Sequence, residues 1–333
     1  MTTNEPSDLE PIKPERAQEL YLDHKASECR EVTVQSHRYR TNHFVRWCNQ
    51  NGIDNLNEIS GRNLHEFRLW REEEGDLKKV SLETQMCSLR VFLKYCGSIE
   101  AVAPNLYDKL FIPQLSREEE QRDTLLDAER AEEILSHLSR YHYASKEHLL
   151  FALLWETGMR IGAARSLDVR DVDSEDECLE LVHRPETDTN LKNGQGGERL
   201  VAVSRDLLEL LENYIEDTRI EITDAHNRSP LLSTHRGRIS RPSIRRIVYT
   251  LTAPCYLDKS CPDCNDGSTK KCPEAVNPHA IRRGSITHFL TRDVPVEIVG
   301  DRMDVSRKVI DKHYDRRSEE VKVEQRRRYL DNI

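Results

Sequence analysis

The chain has 333 residues, a formal net charge of −9 and 33% charged residues. That length is more than one core usually serves, so two domains are expected. No apolar run approaches the roughly 18 residues of a membrane span, and the opening MTTNEPSDLEPIKPER lacks the basic and apolar regions of a secretory signal. Together these point to a soluble, cytoplasmic protein with no membrane partner.

Residues 1–13 read as a disordered tail. Residues 14–28 and 33–50 follow as helices, the second with Phe44, Trp47 and Cys48 on an apolar stripe. A third helix is expected from Asn63 to Glu74, and a fourth begins near Ser81 with Leu82, Met86, Leu89 and Leu93 at helical spacing. Arg38, Arg40, Arg46, Arg62, Arg68, Arg71, Lys78, Lys79, Arg90 and Lys94 decorate these helices. The helical unit spans 14–112. The polar, proline-opened stretch 113–123 is an interdomain linker.

A second domain covers 124–333. Its stretch 147–157 (EHLLFALLWET) is apolar nearly all round and predicts a buried helix. Two β-type runs, 178–183 and 199–204, flank a Gly-rich turn. Helices over 205–221, 241–251, 277–291 and 316–330 complete a mostly helical domain with a small sheet, an α+β class overall.

The chemistry-bearing residues concentrate in this domain. His279 and Arg282 are three apart, which puts both on one helix face, where they can address one phosphate. Asn277-Pro278 is a strong start signal for that helix. In Thr157-Gly158-Met159-Arg160-Ile161-Gly162 the glycine stops one helix and Arg160 opens the next. Guanidinium binds phosphate oxygens in a fork, so two arginines suit this task better than lysines. Tyr314, about thirty residues after Arg282, supplies an oxygen nucleophile of the kind that forms covalent intermediates. The acidic net charge does not oppose a nucleic-acid partner, because it describes the whole surface and not one groove. Of the 50 basic residues 36 are arginine, beside 59 acidic residues. That balance suggests a salty cytoplasm, where specific arginine contacts matter more than a broad basic field.

The ordered set of TGxR, a lysine in a polar turn, HxxR and a late tyrosine resembles the tyrosine recombinase (phage integrase, Xer-type) family. The resemblance implies an N-terminal SAM-like core-binding domain that clamps double-stranded DNA and a mixed α/β catalytic domain. It also implies site-specific recombination through a 3′-phosphotyrosyl intermediate, by a homotetramer on DNA, with no cofactor for catalysis. Arg160, Lys192, His279, Arg282 and Tyr314 would be the catalytic set, with Lys192, the sole lysine between Lys146 and Lys259, as the acid for the leaving 5′-oxygen. The family's C-terminal segment packs on a neighbour, and Glu319 to Leu330 with Arg326-Arg-Arg328 matches it. Two positions depart from the pattern. The His or Trp usual nine residues before the tyrosine is Val305, with Asp304 and His313 the nearby polar residues. The acid usual three residues after the first arginine is Ala163. A catalytically impaired DNA binder of the same fold and a type IB topoisomerase are the alternative functions.

Four cysteines, Cys255, Cys261, Cys264 and Cys272, crowd an insert over 253–275 that is rich in Pro, Gly and Asp. A CxxC with two flanking cysteines suits tetrahedral structural zinc, and a polar insert too short for a core needs such a staple. Free thiols in a disordered insertion are the alternative. Cys29, Cys48, Cys87, Cys96 and Cys178 read as core thiols.

Overall fold

A computed structural model describes residues 9–116, 119, 124–257, 259, 261, 264, 272–315 and 317–330. The chain divides into two compact units, 1–122 and 123–333.

The first unit is built on α1 (Pro14–Glu28), α2 (Glu31–Gln50), α3 (Gly61–Gly75) and α4 (Lys79–Ser98). Proline at the first turn opens α1, and a reciprocal Ser60–Asn63 capping box opens α3. Their apolar stripes close on an aromatic core in which Phe44 meets Phe67 edge-on at 5.2 Å and Tyr21 meets Phe92 at 5.3 Å. Such pairs add about 0.5–1.5 kcal/mol each beyond the area they bury. Of the tail expected over 1–13, residues 1–8 lie outside the described residues. Glu10 N donates to Glu100 O and Ile12 N to Asn55 Oδ1, both at 3.2 Å, so this end of the stretch is tied to the unit. Of the expected linker, residues 117, 118 and 120–123 also lie outside.

Not all the basic residues expected on this surface are there. Arg71 is only 5% exposed and its Nε donates to Gln85 Oε1 at 2.8 Å, which removes it from any set facing DNA. Arg46 pairs with Glu74 at 2.5 Å and lies over the Trp70 ring. Arg38, Arg62, Lys78, Arg90 and Lys94 remain exposed.

The second unit wraps around α6 (Lys146–Thr157), whose Leu149, Leu150, Phe151, Leu153 and Leu154 are buried as their pattern predicts. Before it comes α5 (Ala128–Tyr141), absent from the sequence reading despite an Asp127 cap and a buried stripe of Ala131, Ile134 and Leu138. A short α7 (Ile161–Ser166) follows, then an antiparallel sheet of β1 (Val172–Asp173), β2 (Cys178–Leu181) and β3 (Arg199–Ala202), in that order. The register pairs Cys178 with Ala202 and Leu181 with Arg199. Next is α8 (Arg205–Asn213), shorter than expected because the chain continues as a π-helical turn, Tyr214–Thr218. A two-stranded ribbon of β4 (Ser233–Thr234) and β5 (Gly237–Arg238) precedes α9 (Arg241–Leu251).

The helix that matters most for chemistry is α10 (Pro278–Thr291), which packs on α6. Ser285 Oγ donates to Trp155 O at 2.6 Å. Gly284 is required in mid-helix, since a Cβ there would fall 1.8 Å from Leu126 O. A third small core joins Ile286 and Leu290 of α10 to Val299 and Met303 of α11 (Val296–Met303), and to Val305, Ile310 and Tyr314. The last helix is α12 (Glu319–Leu330). Here it packs on its own unit: Gln325 Nε2 donates to Leu290 O at 2.8 Å, and Arg317 Nη1 donates to Gln325 Oε1 at 2.7 Å.

A buried ion network holds the segment after α7. Asp168 accepts from Arg228 Nε at 2.7 Å and Arg238 Nη2 at 2.5 Å, while Arg184 grips Asp171 through both Nη atoms at 2.8 and 2.6 Å. Asp224 accepts from Arg238 Nε at 2.8 Å. Among the described residues no helix is long and apolar enough to cross a membrane.

Candidate active site

Three chain reversals deliver the site. The first is Gly158, which ends α6 in the left-handed region at φ 58. A side chain there would also strike Met303. Two residues later Arg160 stands at the start of α7. The second is Asn277, whose Oδ1 accepts from His279 N at 2.9 Å and Ala280 N at 3.1 Å, so that α10 begins with His279 and Arg282 on one side. The third is the turn Arg307–Val309 and the π-helical turn Ile310–Tyr314. Thr287 Oγ1 of α10 donates to Tyr314 O at 2.8 Å and so fixes the end of that turn.

These reversals bring Arg160, His279, Arg282 and Tyr314 together. Tyr314 Oη lies 3.1 Å from His279 Nε2. Arg282 stacks above the Tyr314 ring at 5.8 Å, donates through Nη1 to Gly158 O at 2.6 Å and through Nη2 to Asp304 O at 3.3 Å. Arg282 is 2% exposed and Tyr314 4%, whereas Lys192 is open to solvent and His279 is reached by solvent with its ring partly buried. Arg160 Nη1 donates to Asp304 Oδ2 at 2.6 Å, and Asn193 Nδ2 donates to Asp304 Oδ1 at 2.6 Å. Lys192 therefore sits next to a residue that is hydrogen-bonded into the site.

The electrostatics follow from this crowding of cations. Partial burial of its ring, with the charges of Arg283, Arg282, Arg160 and Lys192, pushes the pKa of His279 down to about 4. The imidazole is thus neutral at pH 7. Burial, and then repulsion from Arg160, lowers Arg282 to about 10, which leaves it charged at pH 7.

The phage integrase family model matches residues 124–320, and the model of the phage integrase N-terminal SAM-like domain matches residues 19–97. The chain belongs to the phage integrase family. Among curated relatives, the tyrosine recombinase XerD of Mycobacterium leprae is 26% identical over 295 residues, 81% of this chain and 82% of that one. A tyrosine recombinase of Pseudothermotoga lettingae is 23% identical over 260 residues, 78% of each chain. Among solved structures, the Tn1549 transposon integrase in complex with a circular intermediate DNA shares the fold at TM-score 0.68 and 14% identity, over 95% of this chain and 99% of that one. A lambda integrase tetramer bound to a Holliday junction does so at TM-score 0.64 and 13% identity, over 94% and 80%. The protein is a tyrosine-type site-specific recombinase with the two-domain organisation of its family.

Two residues of the site were given no role in the sequence reading, although Asp304 was noted there as a nearby polar residue. Asp304 touches Arg160 and Asn193 with its two carboxylate oxygens and Arg282 with its carbonyl, yet family spacing directs attention to Val305 instead. Its one legible sign is position: Asp304 ends α11 in the left-handed region at φ 52, a conformation that Asp tolerates better than most residues. Asn193 had no signal beyond its place beside Lys192. Val305 is 8% exposed and belongs to the third core with Tyr314; its apolar character is a packing requirement. Ala163 is likewise buried, in the main core. The side chain of His313 lies outside the described residues. The four insert cysteines form a separate cluster, with all four Sγ atoms within 4.8 Å of one another.

Proposed function

We propose that this recombinase cuts and rejoins double-stranded DNA through a 3′-phosphotyrosyl intermediate formed on Tyr314. The observation that carries the reading is the 3.1 Å contact between Tyr314 Oη and the Nε2 of a neutral His279, beside two arginines. His279 accepts the phenolic proton as Oη attacks phosphorus, and the bond from phosphorus to the 5′-oxygen breaks. Lys192, on the solvent-exposed loop between β2 and β3, returns a proton to that oxygen. The link conserves the energy of the broken diester, so the reverse attack by a 5′-hydroxyl reseals the strand. Arg160 and Arg282 stabilise the extra negative charge of the pentavalent phosphorus.

Asp304 fits this scheme as the anion that holds the fork of Arg160 until a phosphate takes it over. It also supplies the carboxylate missing at Ala163. By analogy with the lambda integrase tetramer, the assembly on DNA is a homotetramer. The SAM-like unit contributes duplex contacts through exposed Arg38, Arg62, Arg90 and Lys94.

A nicked suicide substrate tests the reading. The intact chain is expected to trap a covalent adduct, and Tyr314→Phe to form none while binding the same DNA. An adduct in the mutant would mean that another residue attacks. No adduct with the intact chain would support a DNA binder that no longer cleaves. Relaxation of supercoiled plasmid without strand exchange would support topoisomerase action.

A further inference from the structure

The cysteine cluster takes no part in the chemistry above. Cys255 lies on the turn Pro254–Leu257 that follows α9, and Tyr256 of this turn packs edge-on against His137 of α5 at 5.2 Å. Cys261 and Cys264 form the CxxC, and Cys272 stands five residues before Asn277, the cap of α10. Cys261 and Cys272 approach to 3.5 Å between sulfurs, and no pair among the four exceeds 4.8 Å. A tetrahedral centre with metal–sulfur bonds of about 2.3 Å has sulfur–sulfur edges of about 3.8 Å, inside that range. Packing does not explain the gathering. Three of the four are only half-buried and none is part of a hydrophobic core cluster, unlike Cys48 and Cys96 in the first unit. Thiols are weak hydrogen-bond partners and would not seek one another for that reason.

The donor set selects the ion. Four sulfurs with no carboxylate or imidazole suit a soft or borderline metal in tetrahedral geometry and disfavour calcium and magnesium. Four protein ligands leave no open coordination position, which is the mark of a structural and not a catalytic site. The surroundings show what such an ion would brace. Thr252 Oγ1 donates to Val276 O at 3.2 Å and accepts from Val276 N at 3.0 Å, and Arg130 donates to both Thr252 O and Glu274 O. These bonds clip the two ends of the insert together directly before Asn277 and His279.

We propose that Cys255, Cys261, Cys264 and Cys272 bind one zinc ion as a closed tetrathiolate site that braces the first turn of α10, and with it His279. The site works by joining the two ends of an insert whose sequence is polar. Metal binding of this kind couples to folding because the ligands converge only in the folded chain.

The test uses the full chain without DNA, so its outcome is independent of whether Tyr314 is the nucleophile. Elemental analysis is expected to give one zinc per chain. Cobalt exchanged into the site should show the thiolate charge-transfer and tetrahedral ligand-field bands. Cys264→Ser and Cys272→Ser should each lose the metal, while Cys29→Ser, outside the cluster, keeps it. Should the serine variants fail to fold, chelator titration of the intact chain gives the stoichiometry instead. Stripping the metal should then raise amide exchange over residues 277–283 by at least tenfold and leave α2 unchanged. Absence of stoichiometric metal after expression and refolding with zinc, or a coloured iron centre in its place, overturns the assignment. Unchanged exchange at the start of α10 in the stripped chain overturns the bracing role.

Discussion

Two clusters in the second unit use the same side chain to opposite ends. Around Asp168 three carboxylates, Asp168, Asp171 and Asp224, meet the three largely buried arginines Arg184, Arg228 and Arg238, with a fourth, exposed Arg170, 3.6 Å from Asp168 at the rim. Around Tyr314 the single carboxylate of Asp304 stands against Arg160, Arg282 and nearby Lys192. The first cluster is closed: its charges are satisfied and removing one partner leaves a buried ion stranded. The second has positive charge to spare, and that surplus adds to burial in lowering both His279 and Arg282. An arginine count alone cannot separate the two situations; the local ratio of anions to cations does.

The comparison can be broken or sharpened in several ways. In the open cluster, replacing Arg160 or Arg282 by Ala should slow cleavage by about 10²–10³-fold, the usual cost of losing one preorganised donor to a charged transition state. Lysine should rescue poorly, because a point charge does not reproduce the fork. Single-turnover adduct formation checks this, and full activity of Arg282→Lys would defeat the assignment. In the closed cluster, Asp168→Ala should cost about 3–5 kcal/mol of folding stability, read from denaturant midpoints. Molecules that remain folded should cleave at close to the normal rate.

A smaller effect is expected from Asp304→Asn. One charge-assisted hydrogen bond to Arg160 is lost, worth about 1.5–3 kcal/mol at most, so cleavage should fall about tenfold. DNA affinity at low salt should rise, since the site gains net positive charge. Loss of affinity would show that Asp304 supports the fold and does not hold a place for phosphate. The smallest effect concerns pH. His279 is depressed in the folded state, so between pH 6.5 and about 4 the unfolded chain binds a proton that the folded chain refuses. Stability therefore drops as pH falls through this window, and His279→Gln should flatten that slope. Imidazole NMR should place the midpoint near 4 without DNA and higher once a phosphate neutralises the neighbouring charge.

Much of this was legible in the sequence, for identifiable reasons. The buried helix α6 announced itself by an unbroken apolar run, and α10 by Asn277-Pro278. Arg160, His279, Arg282 and Tyr314 were singled out by order and spacing, which survive low overall identity, and the fold brings them together. What escaped depended on contacts distant in sequence. Asp304 meets Arg160 across 144 positions, and no local pattern encodes that. Arg71 looked like a surface cation because its helix is polar, yet Gln85 on the next helix draws it inside. At Val305 positional counting led to an apparent defect. The structure shows a residue packed beside the tyrosine, where an imidazole would have to be buried in a small apolar core.

The concealment of Tyr314 has a kinetic consequence. If Tyr314 is the nucleophile proposed above, a residue only 4% exposed meets a phosphodiester more readily once the turn ending at Tyr314 loosens around its contact with His279. The observed cleavage rate is then the intrinsic rate multiplied by the fraction of molecules in the loosened state. If that fraction is about one in a hundred, an isolated chain reacts about a hundredfold below its potential. DNA or a neighbouring protomer that favours the loosened state raises the rate by population alone, without touching the chemical step. On that proposal the small core that holds Tyr314 would also keep the resting protein from attacking stray phosphates.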